Sequence, residues 1–232
     1  PPYVIAEIGS NHNGDMEQCK VMIDAAIRAG AHCVKFQSWS EDTLVSQQEY
    51  NRNTDYGDDP INQVRHFGSL EEMVKAYQFS DSQHKEMADY CKEKGIHFAS
   101  SAFSEHEADL LASLDVPFIK IASMDVNYHR LLKYVAGKGL PIIISTGMAN
   151  IAEIDEALRV MAEAGAGKDK VIVLHCRSTY PPKDHDNDLL HIPMLRETFG
   201  YSTGLSDHSL GYVACVAAAA YGSTVLEKHF TT

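Results

Sequence analysis

The chain has 232 residues, enough for one large core and about the length that an α/β barrel takes as a single domain. It is 44% hydrophobic and 22% charged, as an ordinary globular protein is, and its formal net charge of −12 argues against nucleic acid or an anionic membrane as partner. No apolar run reaches the roughly 18 residues of a membrane span, and Pro1-Pro2-Tyr3-Val4 lacks the basic and apolar regions expected of a secretion signal, while five scattered cysteines without CxxC spacing point to reduced thiols in a cytoplasm.

Residues 3–8 read as the first strand, followed by a helix over 15–29 that buries Val21, Met22, Ile23, Ala25, Ala26 and Ile27 and ends at Gly30. In the turn between them, Asn11-His12-Asn13-Gly14, the sequence suits a binding loop or a turn whose Asn13 or Asp15 caps the helix. The second strand is 33–37. A helix over 80–94, stopped by Gly95, leads into the third strand at 96–100. Strands follow at 117–122, 141–145, 170–175, 201–205 and 224–229, with helices at 105–114, 128–136, 151–164, 188–199 and 210–221 between them. Eight strands with helical crossovers, and no GxGxxG after the first, predict a closed (β/α)₈ barrel over residues 1–232 rather than an open dinucleotide-binding sheet.

Residues 38–70 are too many and too polar for an ordinary βα loop, and are expected to cover the active site. At the other end the chain stops at Thr232, directly after the eighth strand, so the eighth helix of a barrel is missing. The sequence is therefore expected to be a fragment. Apolar surface around Val225 and Val4 should be covered by further residues or within a homodimer.

In such a barrel the active site lies at the C-terminal ends of the strands, and here those positions are unusually polar. They hold Glu7, Lys35 with Gln37, Ser101, Lys120 with Ser123 and Asp125, Thr146, Ser178 with Tyr180, Asp207 with His208, and Glu227 with His229. Lys35 and Lys120 lie in apolar strand sequence, where a lysine needs an anionic partner or a depressed pKa. Three uses fit them: a clamp for a phosphate or carboxylate with Ser101, Ser123, Ser178 and Ser206 donating to its oxygens; a pairing with Glu7 or Asp125; or Schiff-base chemistry. His208 and His229 end adjacent strands in Ser-Asp-His and Glu-Lys-His. Neutral imidazoles there suit a catalytic divalent metal with open positions, oriented by Asp207 or Glu227.

Seven strings, in order from the first strand to the last, resemble the barrel domain of the sialic acid synthase family. They are Ala6-Glu7-Ile8-Gly9-Ser10-Asn11-His12-Asn13-Gly14, Val34-Lys35-Phe36-Gln37, Ile119-Lys120-Ile121-Ala122-Ser123, Ser145-Thr146-Gly147-Met148-Ala149, Leu174-His175-Cys176 through Ser178-Thr179-Tyr180-Pro181, Gly204-Leu205-Ser206-Asp207-His208, and Glu227-Lys228-His229-Phe230-Thr231. The resemblance implies condensation of phosphoenolpyruvate with an N-acylated mannosamine-type sugar to a nonulosonic acid. It implies that Lys35, Ser101, Lys120, Ser123, Ser178 and Ser206 bind phosphoenolpyruvate, and that His208 and His229 bind manganese or magnesium. Glu7, Gln37, Asp125 and Tyr180 would face the sugar, with Glu7 and Asp125 joining the two histidines in catalysis. The family commonly has glutamate at Asp125 and a small polar residue at Arg177, and both departures bear on the acceptor. A small C-terminal domain that completes the sugar site across a dimer is usual in the family and lies outside this sequence. The competing readings are a synthase for a different acceptor sugar and a non-catalytic sugar-binding barrel.

Overall fold

The computed structural model describes residues 1–52 and 68–232. Eight parallel strands close into a barrel in sequence order: β1 (Tyr3–Gly9), β2 (Cys33–Ser38), β3 (His97–Ala102), β4 (Ile119–Ile121), β5 (Ile142–Ser145), β6 (Val171–Cys176), β7 (Ser202–Asp207) and β8 (Val225–His229). Direct pairing of β1 with β8, from Tyr3 opposite Val225 to Glu7 opposite His229, completes the ring. The expected closed barrel is what the chain forms.

Outside the sheet lie α1 (Met16–Arg28), α4 (Asp81–Lys94), α5 (Glu105–Ser113), α6 (His129–Ala136), α7 (Ile151–Glu163), α8 (His191–Phe199) and α9 (Val213–Ala220). Their starts follow local chemistry. Asp15 accepts from the backbone N–H groups of Glu17 and Gln18, which settles the cap of α1 in its favour. Capping boxes, Ser80 with Gln83 and Asn150 with Glu153, open α4 and α7, and Gly95 in the left-handed region ends α4. His12 is 2% exposed and stacks on Phe79 at 4.2 Å, so its turn is packed against the loop before α4 rather than offered to a ligand.

Two helices within the long segment after β2 escaped the sequence reading, α2 (Gln47–Arg52) and α3 (Leu70–Tyr77). Their Tyr50, Val74 and Tyr77 join Trp39 and Phe103 in a small apolar cluster beside the barrel mouth, with Leu44 and Ala122 against it. The part of that segment at 53–67 lies outside the described residues.

Strand alternation divides the barrel into layers. Ile5, Cys33, Ala99, Phe118, Ile143, Leu174 and Val225 point inward and form an apolar floor. The intervening residues point outward and pack under the helices. Val225 is therefore inside the barrel at 2% exposure, not on the exposed face expected for it. The large exposed apolar residues of that region are Leu210, Tyr212, Val213 and Val216, on and just before α9.

Gly204 in β7 sits where no side chain fits, since a Cβ would press on the Val225 carbonyl and the Leu174 side chain. Gly204→Ala should cost about 1–3 kcal/mol of stability by overpacking, read as a lowered denaturant midpoint. An unchanged midpoint would show that β7 and β8 can move apart at no cost.

Candidate functional site

Two residues further along each strand from the apolar floor, the same inward face turns polar. Glu7, Lys35, Ser101, Lys120, Ser145, Ser206 and Glu227 stand there, all below 6% exposure, with Cys176 completing the layer from β6. Above them Gln37, Ser123, Ser178, Tyr180, His208 and His229 line the rim of a cavity of about 350 Å³. On one side its wall is apolar, made by Trp39, Leu44, Phe103, Met124 and Met148.

The buried charges interlock. Lys35 Nζ lies 2.5 Å from Glu7 Oε2 and 3.8 Å from Glu227 Oε2, and donates to Ser101 Oγ at 3.2 Å. Lys120 Nζ lies 3.7 Å from Glu227 Oε1 and donates to Ser145 Oγ at 2.7 Å and to the Ile121 carbonyl at 3.2 Å. Ser206 donates to Glu227 Oε1 at 2.8 Å. Burial opposes charge on Glu227, yet Lys120 and Lys35 together hold its carboxyl below the ordinary range. Glu7 has Lys35 alone at close range, and burial with the Glu227 charge pushes its carboxyl up. The lysines divide in the same way. Burial would lower Lys35, but two glutamates raise it; Lys120 is lowered by burial and by the charge of Lys35. Lys120 is thus the cation with least compensation.

His208 and His229 face the same space with ring centroids 5.4 Å apart, and Tyr180 stacks on His208 at 3.9 Å. Burial lowers both imidazoles, His229 to about 4, so both are neutral at pH 7. The expected carboxylate orienters do not touch them. Asp207 is taken by Lys228 at 2.7 Å and by Ser209, on the outer face of the sheet, and Glu227 belongs to the lysine network. Instead the His208 Nδ1 lies 2.7 Å from the Arg177 carbonyl, which fixes Nδ1 as the protonated nitrogen and leaves Nε2 a lone pair. No cluster of three or more metal-ligating side chains exists among the described residues. Two neutral imidazoles at the rim of the cavity nevertheless fit a cation that leaves several positions to substrate and water.

Of the residues singled out in the sequence, Glu7, Lys35, Gln37, Ser101, Lys120, Ser123, Ser178, Tyr180, Ser206, His208 and His229 all line this one cavity. Asp125 does not. It ends a single 3-10 turn (Ser123–Asp125) behind the wall, 7% exposed, and burial pushes its carboxyl to about 7 against the pull of Lys120. The Arg177 side chain turns away from the cavity to Asp188, 3.4 Å off, and only its carbonyl serves the site. Ser145, Cys176 and the apolar wall went unread as site residues; alternation along β5 and β6 was the available signal for the first two.

A profile described as the NeuB family matches residues 22–232. The N,N'-diacetyllegionaminic acid synthase of Legionella pneumophila is 36% identical over 99% of this chain and 64% of its own length. The N-acetylneuraminate-9-phosphate synthase of Drosophila melanogaster is 37% identical over 99% of this chain and 60% of its own. This chain thus spans less than two thirds of these relatives. A crystal structure of an N-acetylneuraminic acid synthetase from Leptospira borgpetersenii, in complex with citrate, superposes with a TM-score of 0.83 at 31% identity, covering 100% of this chain and 73% of that one.

The raised carboxyl of Asp125 has a consequence for stability. Unfolded, it titrates near its ordinary 3.8; folded, near 7. Between those values the unfolded chain releases a proton that the folded one keeps, so stability declines as pH rises through that window. Asp125→Asn removes the decline. The melting temperature of the variant relative to the parent should therefore increase from pH 4 to pH 8, and a constant difference would contradict the assignment.

Proposed function

The chain belongs to the NeuB family, and on that premise we propose that its barrel condenses phosphoenolpyruvate with an open-chain N-acylated mannosamine-type sugar, yielding a nonulosonic acid and phosphate. The observation that carries the reading is the pair of buried ammonium groups, Lys35 and Lys120, ringed by serine hydroxyls at the mouth of the barrel. In the free protein Glu7 and Glu227 offset these cations, Lys120 the less fully of the two. The phosphate and carboxylate of phosphoenolpyruvate supply the anions that such cations need.

In this reading Lys35 and Lys120, with Ser101, Ser123, Ser178 and Ser206, hold the phosphate and carboxylate so that C3 of the enol ether faces the aldehyde. C3 bonds to the aldehyde carbon and the aldehyde oxygen takes up a proton. Positive charge at C2 is captured by water, and cleavage of the C2–O bond releases phosphate and leaves a ketone. Glu7, beside Lys35 and with its carboxyl pushed up by burial, is suited to move a proton at the sugar or at the attacking water. Gln37 and Tyr180 bound the space for the sugar, whose body packs on the apolar wall. His208 and His229 would hold manganese or magnesium, which polarises a carbonyl when bound. The principal contribution of the protein is orientation of two substrates in one closed space.

A different acceptor is the second reading. Asp125 in place of the family's usual glutamate favours it, and the two relatives above are named for different products.

With phosphoenolpyruvate, N-acetylmannosamine and manganese, the protein should release phosphate in step with a product whose mass equals both substrates plus water minus phosphoric acid. Exhaustive chelation should abolish turnover and manganese should restore it. His208→Ala and His229→Ala should each lose activity while melting near the parent temperature. Full turnover after chelation would remove the metal from the account, and unfolding of both variants would make the histidines structural.

A further inference from the structure

Glu107 carries a buried carboxyl that the proposed reaction leaves unused. It lies in the first turn of α5, 4% exposed, and its backbone N–H donates to the Ser104 side chain that caps the helix. Thr43 Oγ1 donates to its Oε1 at 2.7 Å, whereas Oε2 has no hydrogen-bond partner among the described residues. The bond joins two segments 64 residues apart: α5, which follows β3, and the strap 39–46 that leaves the end of β2.

Both segments carry part of the apolar wall of the cavity. Trp39 and Leu44 belong to the strap, and Phe103 stands immediately before the Ser104 cap of α5. Trp39 packs on Phe103 with ring centroids 6.1 Å apart, and Leu44 rests against the same cluster. Thr43 and Glu107 do not line the cavity themselves; each adjoins residues that do. Within the strap the Thr43 hydroxyl accepts from the Ser40 N–H at 3.0 Å, and the backbone N–H groups of Thr43 and Leu44 both donate to the Ser40 carbonyl at 3.1 Å. Thr43 thus closes a tight turn and fastens that turn to α5. Elsewhere the strap is tied outward: Tyr50 donates to the Glu41 carbonyl, the Glu41 N–H donates to Gln78, and Lys75 pairs with the Glu41 carboxylate at 2.9 Å. Those ties hold it to α2 and to α3 with its following residue, whereas the bond from Thr43 holds it to the barrel's own helix.

We propose that Glu107 is a positioning residue: by holding Thr43 it seats Leu44 and Trp39 against Phe103, and so sets the shape of the wall on which the acceptor sugar packs. The start of a helix favours a negatively charged acceptor, and a hydrogen bond to such a group is stronger than one between neutral partners. Losing it leaves a buried oxygen unsatisfied, so the strap has reason to stay where Thr43 reaches Glu107. An apolar wall holds a ligand only by close contact, and a gap well under the size of a methyl group already forfeits much of that contact. The anion clamp is supported differently. Lys35, Lys120, Ser206 and Glu227 stand on strands of the closed ring, so a loosened strap acts on the acceptor rather than on phosphoenolpyruvate. The identity of the acceptor rests on the condensation reading; the link from Glu107 through Thr43 to the wall does not.

Trp39 is the only tryptophan in the sequence, so its fluorescence reports on the wall without substrate. Thr43→Val removes the donor at nearly constant shape, and Glu107→Met removes the acceptor. Each should shift the Trp39 emission to the red and expose it to acrylamide quenching. Thr43→Ser and Glu107→Gln, which keep a donor and an acceptor oxygen, should recover most of the parent's emission, a recovery that packing alone would not give. In turnover with N-acetylmannosamine, Thr43→Val and Glu107→Met should each raise the sugar KM about fivefold or more, with kcat less affected and phosphoenolpyruvate affinity by calorimetry unchanged. The double variant should be no worse than either single one, as partners in one bond require. A parental sugar KM in Thr43→Val overturns the proposal whatever the emission does. So does a fall in phosphoenolpyruvate affinity that matches the rise in sugar KM, or a Glu107→Gln variant as impaired as Glu107→Met. The expected fluorescence changes in a protein that forms no product support the link between Glu107 and the wall and overturn the condensation reading alone.

Discussion

Two lysines and two glutamates share the dry mouth of this barrel, and most of the site follows from how far they offset one another's charge there. Each ion stripped of water costs several kcal/mol unless its partners replace the lost solvation. Glu227 does this for both lysines at once, Glu7 for Lys35, and the serines at 101, 145 and 206 fill remaining directions. The apolar floor from Ile5 round to Val225 seals the ring from below, so the charges communicate only with one another and with whatever enters from above. The free protein thus holds its cations ready and hydrogen-bonded, with Lys120 the less compensated of the two.

Much of this was legible from period-two alternation combined with polar residues in apolar strings. Lys35 between Val34 and Phe36, and Lys120 between Ile119 and Ile121, announce inward charge because both neighbours must face the helices. The same rule, carried one residue further, would have corrected the histidine motifs. In Ser-Asp-His and Glu-Lys-His the middle residue points outward, so Asp207 and Lys228 meet each other across adjacent strands, and Glu227 points inward to the lysines. A backbone carbonyl orients His208, and no side-chain pattern encodes that partner.

Other features were visible but unread, or invisible for a physical reason. α3 carries Leu70, Met73, Val74 and Tyr77 at helical spacing, yet this stretch between the insertion at 38–70 and the helix at 80–94 went unread. Glu107 in the first turn of a helix looks like an exposed acid complementing the helix dipole. Only the tertiary placement of Thr43 against it reveals it as buried. Asp125 itself was legible as a site-proximal carboxyl, while its retreat behind the wall depends on the 3-10 turn that ends β4.

The central claim is that the buried ionic ring is an anion clamp, and calorimetric titration of phosphoenolpyruvate alone into the protein tests it most directly. Binding should be measurable without any sugar, and Lys35→Met and Lys120→Met should each weaken it at least tenfold, about 1.4 kcal/mol or more. Folded variants of both lysines that bind phosphoenolpyruvate as tightly as the parent would contradict the account, since the charges at the barrel mouth would then serve only each other.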